Sequence, residues 1–425
     1  MSPRPQRYKE WLSVVTQKMP HLSKPQAIGL TMWSFGIAIT QSCGLSTVSG
    51  FLAELFEQPR NTLRQRLRDW YKDAADKQGK HPGTKRNTLE VSASFVPLLQ
   101  WILSWWPAAD NRLVLAADAS TLGQRFTILL IAVVYRGCGI PVAWKIVGAT
   151  EKGSWQPHWL SLFEHLKSGI PPDWFVLVTT DRGLYAKWLY DAIQALDWHP
   201  FMRINDQGTY QIAGQTAFYP LKGILSQVGE SWSASVSCFK TNPIEGTLLA
   251  RWDEGYRDPW LILTDLDANE ADIIWYGLRS WIECLFKDIK RGGLKWHLTR
   301  MDDPQRAERL WLAIAVATIW LVSVGGQMEA QQDASSLNNR PQPSHPPEPD
   351  GIAPPSQQDS NRAPTAPQTD ELQSQSSRPS RHLSCFRQGF LGILAAVFKG
   401  DALPIGQFVP DFWGQSEGIP GFSSG

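Results

Sequence analysis

A short stretch from Tyr276 to Lys290 concentrates side chains that could act on a phosphate group. At about 100° per residue, four polar side chains fall within an arc of roughly 60° on one side of a helix: Tyr276, Arg279, Glu283 and Lys290. Lys287 lies beside them and the opposite side is apolar, which predicts one amphipathic α-helix. The glutamate suits a metal ion, and the cations suit phosphate oxygens. A solvated face crossed by ion pairs would show the same pattern.

Two aspartates follow apolar runs that are typical of buried strands. Asp118 comes directly after residues 113–117, and Asp181 comes shortly after residues 174–178. In open α/β sheets ligands collect at the carboxyl ends of strands, so both aspartates are candidate site residues. Each would also serve as an ordinary turn former or helix cap. Asp265 follows a third apolar run and competes for the same role.

Three acids in this order, Asp118, Asp181 and Glu283, predict a site for two Mg²⁺ ions about 3.5–4 Å apart. Such a pair of ions lowers the pKa of an attacking water or 3′-hydroxyl and stabilises the leaving oxygen of a phosphoryl transfer. Hard oxygen ligands without a histidine or cysteine cluster favour Mg²⁺ or Mn²⁺ over zinc.

The segment that carries the two aspartates alternates between strand and helix patterns. Five apolar runs read as strands: 113–117, 126–135, 140–147, 174–178 and 200–204. Two stretches read as helices, at 156–167 and 184–196. Because the strand runs are continuously apolar, they predict a sheet that is covered on both faces.

The N-terminal part, up to about residue 95, has helical patterns throughout. Residues 45–56 and 61–71 predict two helices joined by a tight turn, and the second helix is rich in arginine. A helix pair with a basic second helix is a shape that docks on DNA. An ordinary surface hairpin of helices has the same pattern.

Composition narrows the class of protein. The chain has 425 residues, 43% of them hydrophobic, and a net charge of +1, which fits two or three globular domains. Its five cysteines are scattered without CxxC spacing, so neither a zinc site nor a disulfide framework is predicted. This and the lack of an apolar leader at the N-terminus predict a cytoplasmic protein. The longest apolar run, 310–325, is short for a bilayer span and predicts a buried core helix.

The spacing Tyr276-x2-Arg279-x3-Glu283-x6-Lys290 resembles the Tyr-Arg-Glu-Lys signature of the insertion-sequence-four family of DDE transposases. Two further motifs are similar to that family: DAS at Asp118 and TDRG at Asp181. The phrase TRMDDPQRAER, residues 299–309, is similar to the segment that follows the signature. The resemblance covers about residues 110–325.

That resemblance implies an α/β fold: an RNase H-like mixed sheet flanked by helices, with a β-rich insertion before the glutamate helix and a helical N-terminal domain. It also implies cut-and-paste DNA transposition in which three acids bind the metal ions: Asp118, Asp181 and Glu283. The cationic and phenolic side chains are expected to hold DNA phosphates: Tyr276, Arg279 and Lys290, with Lys287, Arg182 and Arg300 nearby. A tryptophan of the insertion, Trp252 or Trp260, could stack on an extruded base.

The expected partners are double-stranded DNA, as terminal inverted repeats and as target, and a second copy of the chain; no membrane association is expected. The expected location is the cytoplasm of a bacterium, close to the nucleoid. The predicted segments are a helical DNA-binding domain at 1–95, a catalytic domain at 110–204 and 260–325, an insertion at 205–259, a disordered linker at 326–381, and a C-terminal helix and tail at 382–425. Two alternatives remain open: an inactive DNA-binding descendant, and an RNase H-like nuclease without strand transfer.

Overall fold

The structure, a computed structural model, describes residues 3–77, 87–108, 110–338, 383–409 and 413. Ten strands form one mixed sheet that helices flank, as the α/β prediction required. Most of the segment predicted as a linker, residues 339–381 of 326–381, lies outside the described residues.

Helices form the N-terminal part of the chain, in agreement with its helical pattern. They are α1 (Pro3–Lys18), α2 (Lys24–Thr40), α3 (Leu45–Phe56), α4 (Arg60–Tyr71) and, after a 3₁₀ turn at Ser92–Ser94, α5 (Phe95–Ser104). The predicted pair at 45–56 and 61–71 is therefore present as α3 and α4. On α4 the buried residues include Leu63 and Leu67, whereas Arg64, Arg66 and Arg68 are exposed. The basic face of this helix is thus available at the surface.

The central sheet is built from strands in the order β3-β2-β1-β4-β5-β10-β9-β8-β6-β7. The first five are β1 (Arg112–Leu122), β2 (Phe126–Tyr135), β3 (Cys138–Gly148), β4 (Phe175–Thr180) and β5 (His199–Arg203). Strands β1, β4 and β5 are parallel, whereas β2 and β3 are antiparallel to their neighbours. The helices α6 (Gln156–Lys167) and α7 (Lys187–Gln194) connect β3 to β4 and β4 to β5. This order and these directions are those of an RNase H-like sheet.

The insertion does not form a separate sheet but extends the central one. Its strands are β6 (Thr209–Ile212), β7 (Phe218–Pro220), β8 (Ser231–Cys238) and β9 (Ile244–Arg251), and the chain returns through β10 (Trp260–Thr264). Strand β10 pairs antiparallel with β5 on one side and with β9 on the other. The β-rich insertion therefore extends the central sheet beyond β5, to which it is joined through β10.

The stretch predicted as one amphipathic α-helix winds in three different ways. A 3₁₀ helix at Ile273–Ser280 leads into α8 (Trp281–Lys287), which ends in a π-helical turn at Asp288–Gly292. The side chain of Asp272 caps the start, accepting a hydrogen bond from the Ile274 amide at 3.0 Å. Since 3₁₀ winding turns about 120° per residue, the arc drawn for an ideal α-helix is wrong here. The tighter first turns carry Tyr276 into the interior, where it is 5% exposed.

A long helix, α9 (Pro304–Asn338), runs through the core. Its segment Pro304–Gln331 has the length and apolarity of a membrane span, but 94% of its most apolar window is buried inside the protein. The run at 310–325 is therefore part of a buried core helix, as expected. The helix continues through residues 327–338, so the prediction of a disordered linker is wrong for them. Those residues are mostly good helix formers, and the first proline after them is Pro341.

The last described helix, α10 (Cys385–Lys399), confirms the predicted C-terminal helix and packs against α9. Two glycines make this close approach possible. A Cβ atom at Gly389 would lie 1.7 Å from the carbonyl oxygen of Leu321, and one at Gly325 would lie 1.7 Å from that of Cys385. Neither position has room for a methyl group.

Gly389→Ala is therefore expected to lower the free energy of unfolding by about 3 kcal/mol, because the two helices must separate to admit the methyl group. Urea unfolding followed by circular dichroism measures this loss. The matched control is Gly50→Ala in α3, where the nearest atoms to a new Cβ lie 3.6 Å away. That change should be neutral or slightly stabilising. Equal stability of the two variants would contradict the close packing of α9 and α10.

Candidate active site

Three acidic side chains from distant parts of the chain meet at the guanidinium group of Arg279. Its Nη2 atom donates to Asp118 Oδ2 at 2.7 Å and to Asp181 Oδ2 at 3.3 Å. Its Nη1 atom donates to Glu283 Oε1, one helical turn further on. Two oxygens bound to one nitrogen at 2.7 and 3.3 Å are at most about 6 Å apart. The structure thus brings together the three acids that the sequence singled out.

The pairing of two parallel strands brings the aspartates together. Strand β1 pairs with β4 so that Ala117 is opposite Thr180, which makes Asp118 and Asp181 the next residues on neighbouring strands. Asp181 follows the last residue of β4, as predicted. Asp118 lies within β1 rather than at its end, because the strand continues to Leu122 through pairing with β2.

Helix α8 brings the glutamate to the sheet by packing closely on β3. A Cβ atom at Gly139 of β3 would lie 2.9 Å from Leu285 Cβ, so only glycine permits this contact. Ile282 and Leu285 are buried beneath the helix, whereas the side chain of Glu283 is 62% exposed. The glutamate is therefore the most accessible of the three acids.

Backbone amides hold the other oxygen of each aspartate. The Ala119 amide donates to Asp118 Oδ1 at 2.7 Å, and the Gly183 amide donates to Asp181 Oδ1 at 2.9 Å. Each Oδ2 then faces Arg279. This arrangement orients one oxygen of each aspartate toward a shared position, as metal ligands require.

Burial raises the pKa of Asp118 to about 6, although Arg279 acts in the opposite direction and Asp181 and Glu283 add to the rise. Burial also opposes the charged form of Arg279, but the neighbouring Asp118, with Tyr276, Asp181 and Glu283, holds its pKa above the usual value. Three carboxylates face one guanidinium, so the cluster lacks positive charge. A further cation would relieve that imbalance.

The donor chemistry fits a hard divalent cation, because carboxylate oxygens are the ligands that Mg²⁺ and Mn²⁺ prefer. Arg279 takes the central position in this arrangement, with its side chain only 11% exposed and its buried Nε atom lacking a hydrogen-bond partner among the described residues. Within the described residues no three His, Cys, Asp or Glu side chains have the spacing of a formed metal site. The residues therefore suit a metal ion once the guanidinium has moved.

Asp265, the competing acid, lies elsewhere. It ends the run of β10 and pairs with His199, whose Nδ1 atom is 3.2 Å from Asp265 Oδ2. It contacts neither Arg279 nor any of the three clustered acids in the described part of the chain. Asp265 is thus not part of the acidic cluster.

Tyr276 is held inside the protein rather than on the surface face that the helical arc predicted. Its ring packs edge-on against Trp260 at 5.1 Å, and the Arg203 guanidinium lies over it at 5.9 Å. Burial raises the pKa of its hydroxyl to about 12. The indole of Trp252 also has a partner within the protein, because it donates a hydrogen bond to the Tyr256 carbonyl at 2.9 Å. Tyr276 and Trp260 therefore act here as packing groups under the acidic cluster.

Two of the other predicted DNA-binding cations, Lys290 and Arg182, lie near the cluster, and none of the four forms an ion pair with its acids in the described part of the chain. Lys290 Nζ donates to Ser120 Oγ at 2.7 Å and to the Thr121 carbonyl at 3.0 Å, which ties it to β1 beyond Asp118. Arg182 forms a loose ion pair with Asp258 at 3.5 Å. Lys287 and Arg300 are exposed. Lys290 and Arg182 therefore add positive charge close to the acids.

Sequence patterns do not identify Arg203, which contacts Tyr276 from the end of β5. A cation directly after the apolar residues of a central strand was the available signal. Nor do they place Arg279 between the acids, since a helical pattern shows which residues share a face but not what stands opposite them.

Removing the charge of Asp118 should stabilise the protein at neutral pH. The raised pKa means that the folded state binds a proton more readily than the unfolded chain does, so the ionised form costs stability above about pH 6. Asp118→Asn is expected to raise the free energy of unfolding by about 1–3 kcal/mol at pH 7.5, and the gain should disappear as the pH falls toward 4. Urea unfolding at both pH values in the presence of EDTA measures the gain. A variant less stable than the wild type at pH 7.5 would contradict this interpretation.

One comparison with known proteins matches a family model over part of the chain. Residues 144–320 match the family model of the transposase DDE domain. The matched segment includes Asp181 and the whole stretch 276–290, whereas Asp118 precedes it. A comparison with curated proteins found no match.

Among solved structures, the chain is similar to a piggyBac transposase, in a cryo-EM structure of its synaptic complex with hairpin DNA. The sequence identity is 13% and the TM-score is 0.37, with 80% of this chain and 77% of that chain covered. The family match supports the expectation of a transposase DDE domain over the segment that supplies two of the three clustered acids and Arg279.

Proposed function

We propose that this protein is a DNA transposase that moves a DNA segment by cut-and-paste phosphoryl transfer. The observation that carries the proposal is the meeting of Asp118, Asp181 and Glu283 at one guanidinium, within and just before a segment that matches the transposase DDE domain. The finer assignment, to the insertion-sequence-four family, rests on the spacing of Tyr276, Arg279, Glu283 and Lys290.

In this proposal the three acids hold two Mg²⁺ ions, for which Mn²⁺ can substitute. When bound, such ions lower the pKa of the attacking water or 3′-hydroxyl and stabilise the leaving oxygen. The amides of Ala119 and Gly183 keep the two aspartates oriented. Glu283 lies on the exposed side of the cluster, with its side chain 62% exposed.

Arg279 exchanges partners in the same proposal. A guanidinium and divalent cations compete for the same carboxylate oxygens, so Arg279 would have to leave Asp118 and Asp181 if those carboxylates held a metal ion. A guanidinium freed in this way would suit a phosphate group of the DNA end, because it can donate two parallel hydrogen bonds to two of the phosphate oxygens. Lys290 lies beside β1, where its ammonium group donates to Ser120, and it supplies a second cation for the same DNA strand.

The proposed substrate is double-stranded DNA, first the terminal inverted repeats and then the target, and two copies of the chain act together on paired ends. The exposed arginines of α4 suit contacts with the repeats. A hairpin on the transposon end and a cytoplasmic location near the nucleoid complete the proposal.

One observation favours a second candidate, a DNA-binding descendant without chemistry. Arg279 already forms ion pairs with all three acids, so the cluster could persist as a structural ion-pair network. The two candidates differ in whether divalent ions bind there. An RNase H-like nuclease without strand transfer would cleave DNA but would not join a cut end to a target.

Incubation of the purified protein with a duplex carrying the inverted repeat that flanks its gene, in Mg²⁺ or Mn²⁺, tests the proposal. Cleavage at the repeat boundary and joining of a pre-cut end to a second duplex are expected. Asp265→Asn serves as a control that should retain both reactions, because Asp265 is bonded to His199 away from the cluster. Cleavage without joining would favour the nuclease, and neither reaction with intact repeat binding would favour the inactive descendant.

A further inference from the structure

A cavity of about 360 Å³ opens beside the acidic cluster, between the β1–β2 turn and the end of the glutamate helix. The residues that line it are Thr121, Leu122, Gly123, Phe286, Lys287, Lys290, Arg291 and His297. Three of these side chains are cations, one is an imidazole, and none is acidic. Gly123 has a positive φ of 57°, and a Cβ atom there would have no neighbour within 4 Å, so the turn leaves the mouth of the cavity open.

The cations of this cavity retain unused hydrogen-bonding capacity. Arg291 is exposed and makes no hydrogen bond or ion pair with any described residue. Lys290 uses two of its three ammonium donors on Ser120 and Thr121, which fixes the third at the edge of the cavity. The buried Nδ1 atom of His297 lacks a hydrogen-bond partner within the described chain. A concave surface with cations of this kind concentrates an anion.

The chemistry favours a phosphate over a stacked base. Phe286 is the aromatic residue of the lining, but it is only 9% exposed and the Lys290 ammonium lies 5.6 Å from the centre of its ring. Its face is therefore already occupied. Arg291 instead presents a planar fork of donors, which matches phosphate oxygens.

The cavity lies along the same strand as the reaction centre. Strand β1 carries Asp118 and continues through Ser120 to Leu122, which is about 13 Å away at the rise of an extended chain. About four nucleotides of a duplex strand cover that distance along the helix axis. A DNA strand with its reacting phosphate at Asp118 would thus place another phosphate near the cavity.

We propose that this cavity is a phosphate subsite for the DNA strand that passes through the acidic cluster, with Arg291 and His297 as ligands beside Lys287 and Lys290. The inference rests on the proposed function and adds a place where the strand is held a few nucleotides from the reacting bond. Arg291 follows the Tyr-Arg-Glu-Lys spacing and is not part of it.

The test replaces single phosphates of the repeat duplex by neutral methylphosphonates and measures binding in Ca²⁺ by wild type and Arg291→Gln. With native DNA, Arg291→Gln is expected to weaken binding about tenfold and to lower the salt slope by about one. A methylphosphonate at one or two adjacent positions should weaken binding to the wild type but not to Arg291→Gln. His297→Gln should show a smaller loss at the same positions.

Lys295→Gln is the matched control, since Lys295 is an exposed cation of the same segment that does not line the cavity. It should retain the full methylphosphonate penalty at every position. If the penalties were the same for wild type and Arg291→Gln at all positions, the subsite would be wrong while the proposed function stood. A wild-type protein that binds the repeat no better than a scrambled duplex would overturn both.

Discussion

Asp181→Asn is expected to lower the rate of metal-dependent DNA cleavage by a factor of about a thousand or more. Loss of a residue that hydrogen-bonds to a metal ligand commonly lowers metal affinity or activity about 10–100-fold, and loss of the ligand itself lowers activity further. In this structure Asp181 Oδ2 and Asp118 Oδ2 share one nitrogen of Arg279, so each aspartate supplies an oxygen to the same small space. Asparagine keeps the shape of the side chain and the hydrogen bond from the Gly183 amide, but it lacks the charge.

Cleavage of the repeat duplex in single-turnover reactions measures this loss, and gel-shift binding in Ca²⁺ measures whether the DNA end is still held. Binding should change by no more than about threefold, because the substitution removes negative charge from a site next to DNA. Asp118→Asn should behave in the same way despite its expected gain in stability. Full cleavage by Asp181→Asn would show that the reaction takes place elsewhere.

Arg279→Gln is expected to raise the affinity of the DNA-free protein for Mn²⁺ by about tenfold or more while lowering DNA cleavage. The guanidinium now satisfies three carboxylates in a largely buried position, and a metal ion must displace it before it can bind. Glutamine leaves those oxygens without a cationic partner, so a divalent ion no longer competes with one. Cleavage falls because the DNA end loses a phosphate contact.

Electron paramagnetic resonance of free Mn²⁺ gives the affinity without any DNA. The control is Lys287→Gln, which removes a cation from the same helix that contacts none of the three acids, and it should change the affinity by less than about threefold. Weaker Mn²⁺ binding by Arg279→Gln would mean that the arginine organises the acids for the metal instead of competing with it. Unchanged affinity in Arg279→Gln and in Asp181→Asn would place the Mn²⁺ site elsewhere.

Much of this fold follows from local patterns that need no knowledge of distant contacts. The continuous apolar run at 126–135 and the helical pattern at 156–167 coincide with β2 and α6. The nearness of Asp118 and Asp181 also followed from general rules, since ligands collect where parallel strands end. These features depend on residues within one element or on neighbouring strands, and that is why the sequence alone predicts them.

Other features depend on contacts between distant segments. Residues 273–292 change from 3₁₀ to α to π winding, which no hydrophobic periodicity reveals, and α8 packs on β3 and β1. Tyr276 becomes a buried packing group because Trp260 and Arg203 close over it. Arg279 shares its helical face with Glu283, as predicted, but its main partners come from β1 and β4.

In the proposed function, Asp118, Asp181 and Glu283 bind the metal ions of a phosphoryl transfer. Anomalous scattering of Mn²⁺ in crystals of the protein with its DNA end locates those ions directly. We expect two peaks about 3.5–4 Å apart among the three carboxylates, with Arg279 turned to a DNA phosphate. A complex that cleaves DNA but shows no peak beside Asp118, and in which Arg279 still binds all three acids, would contradict the claim.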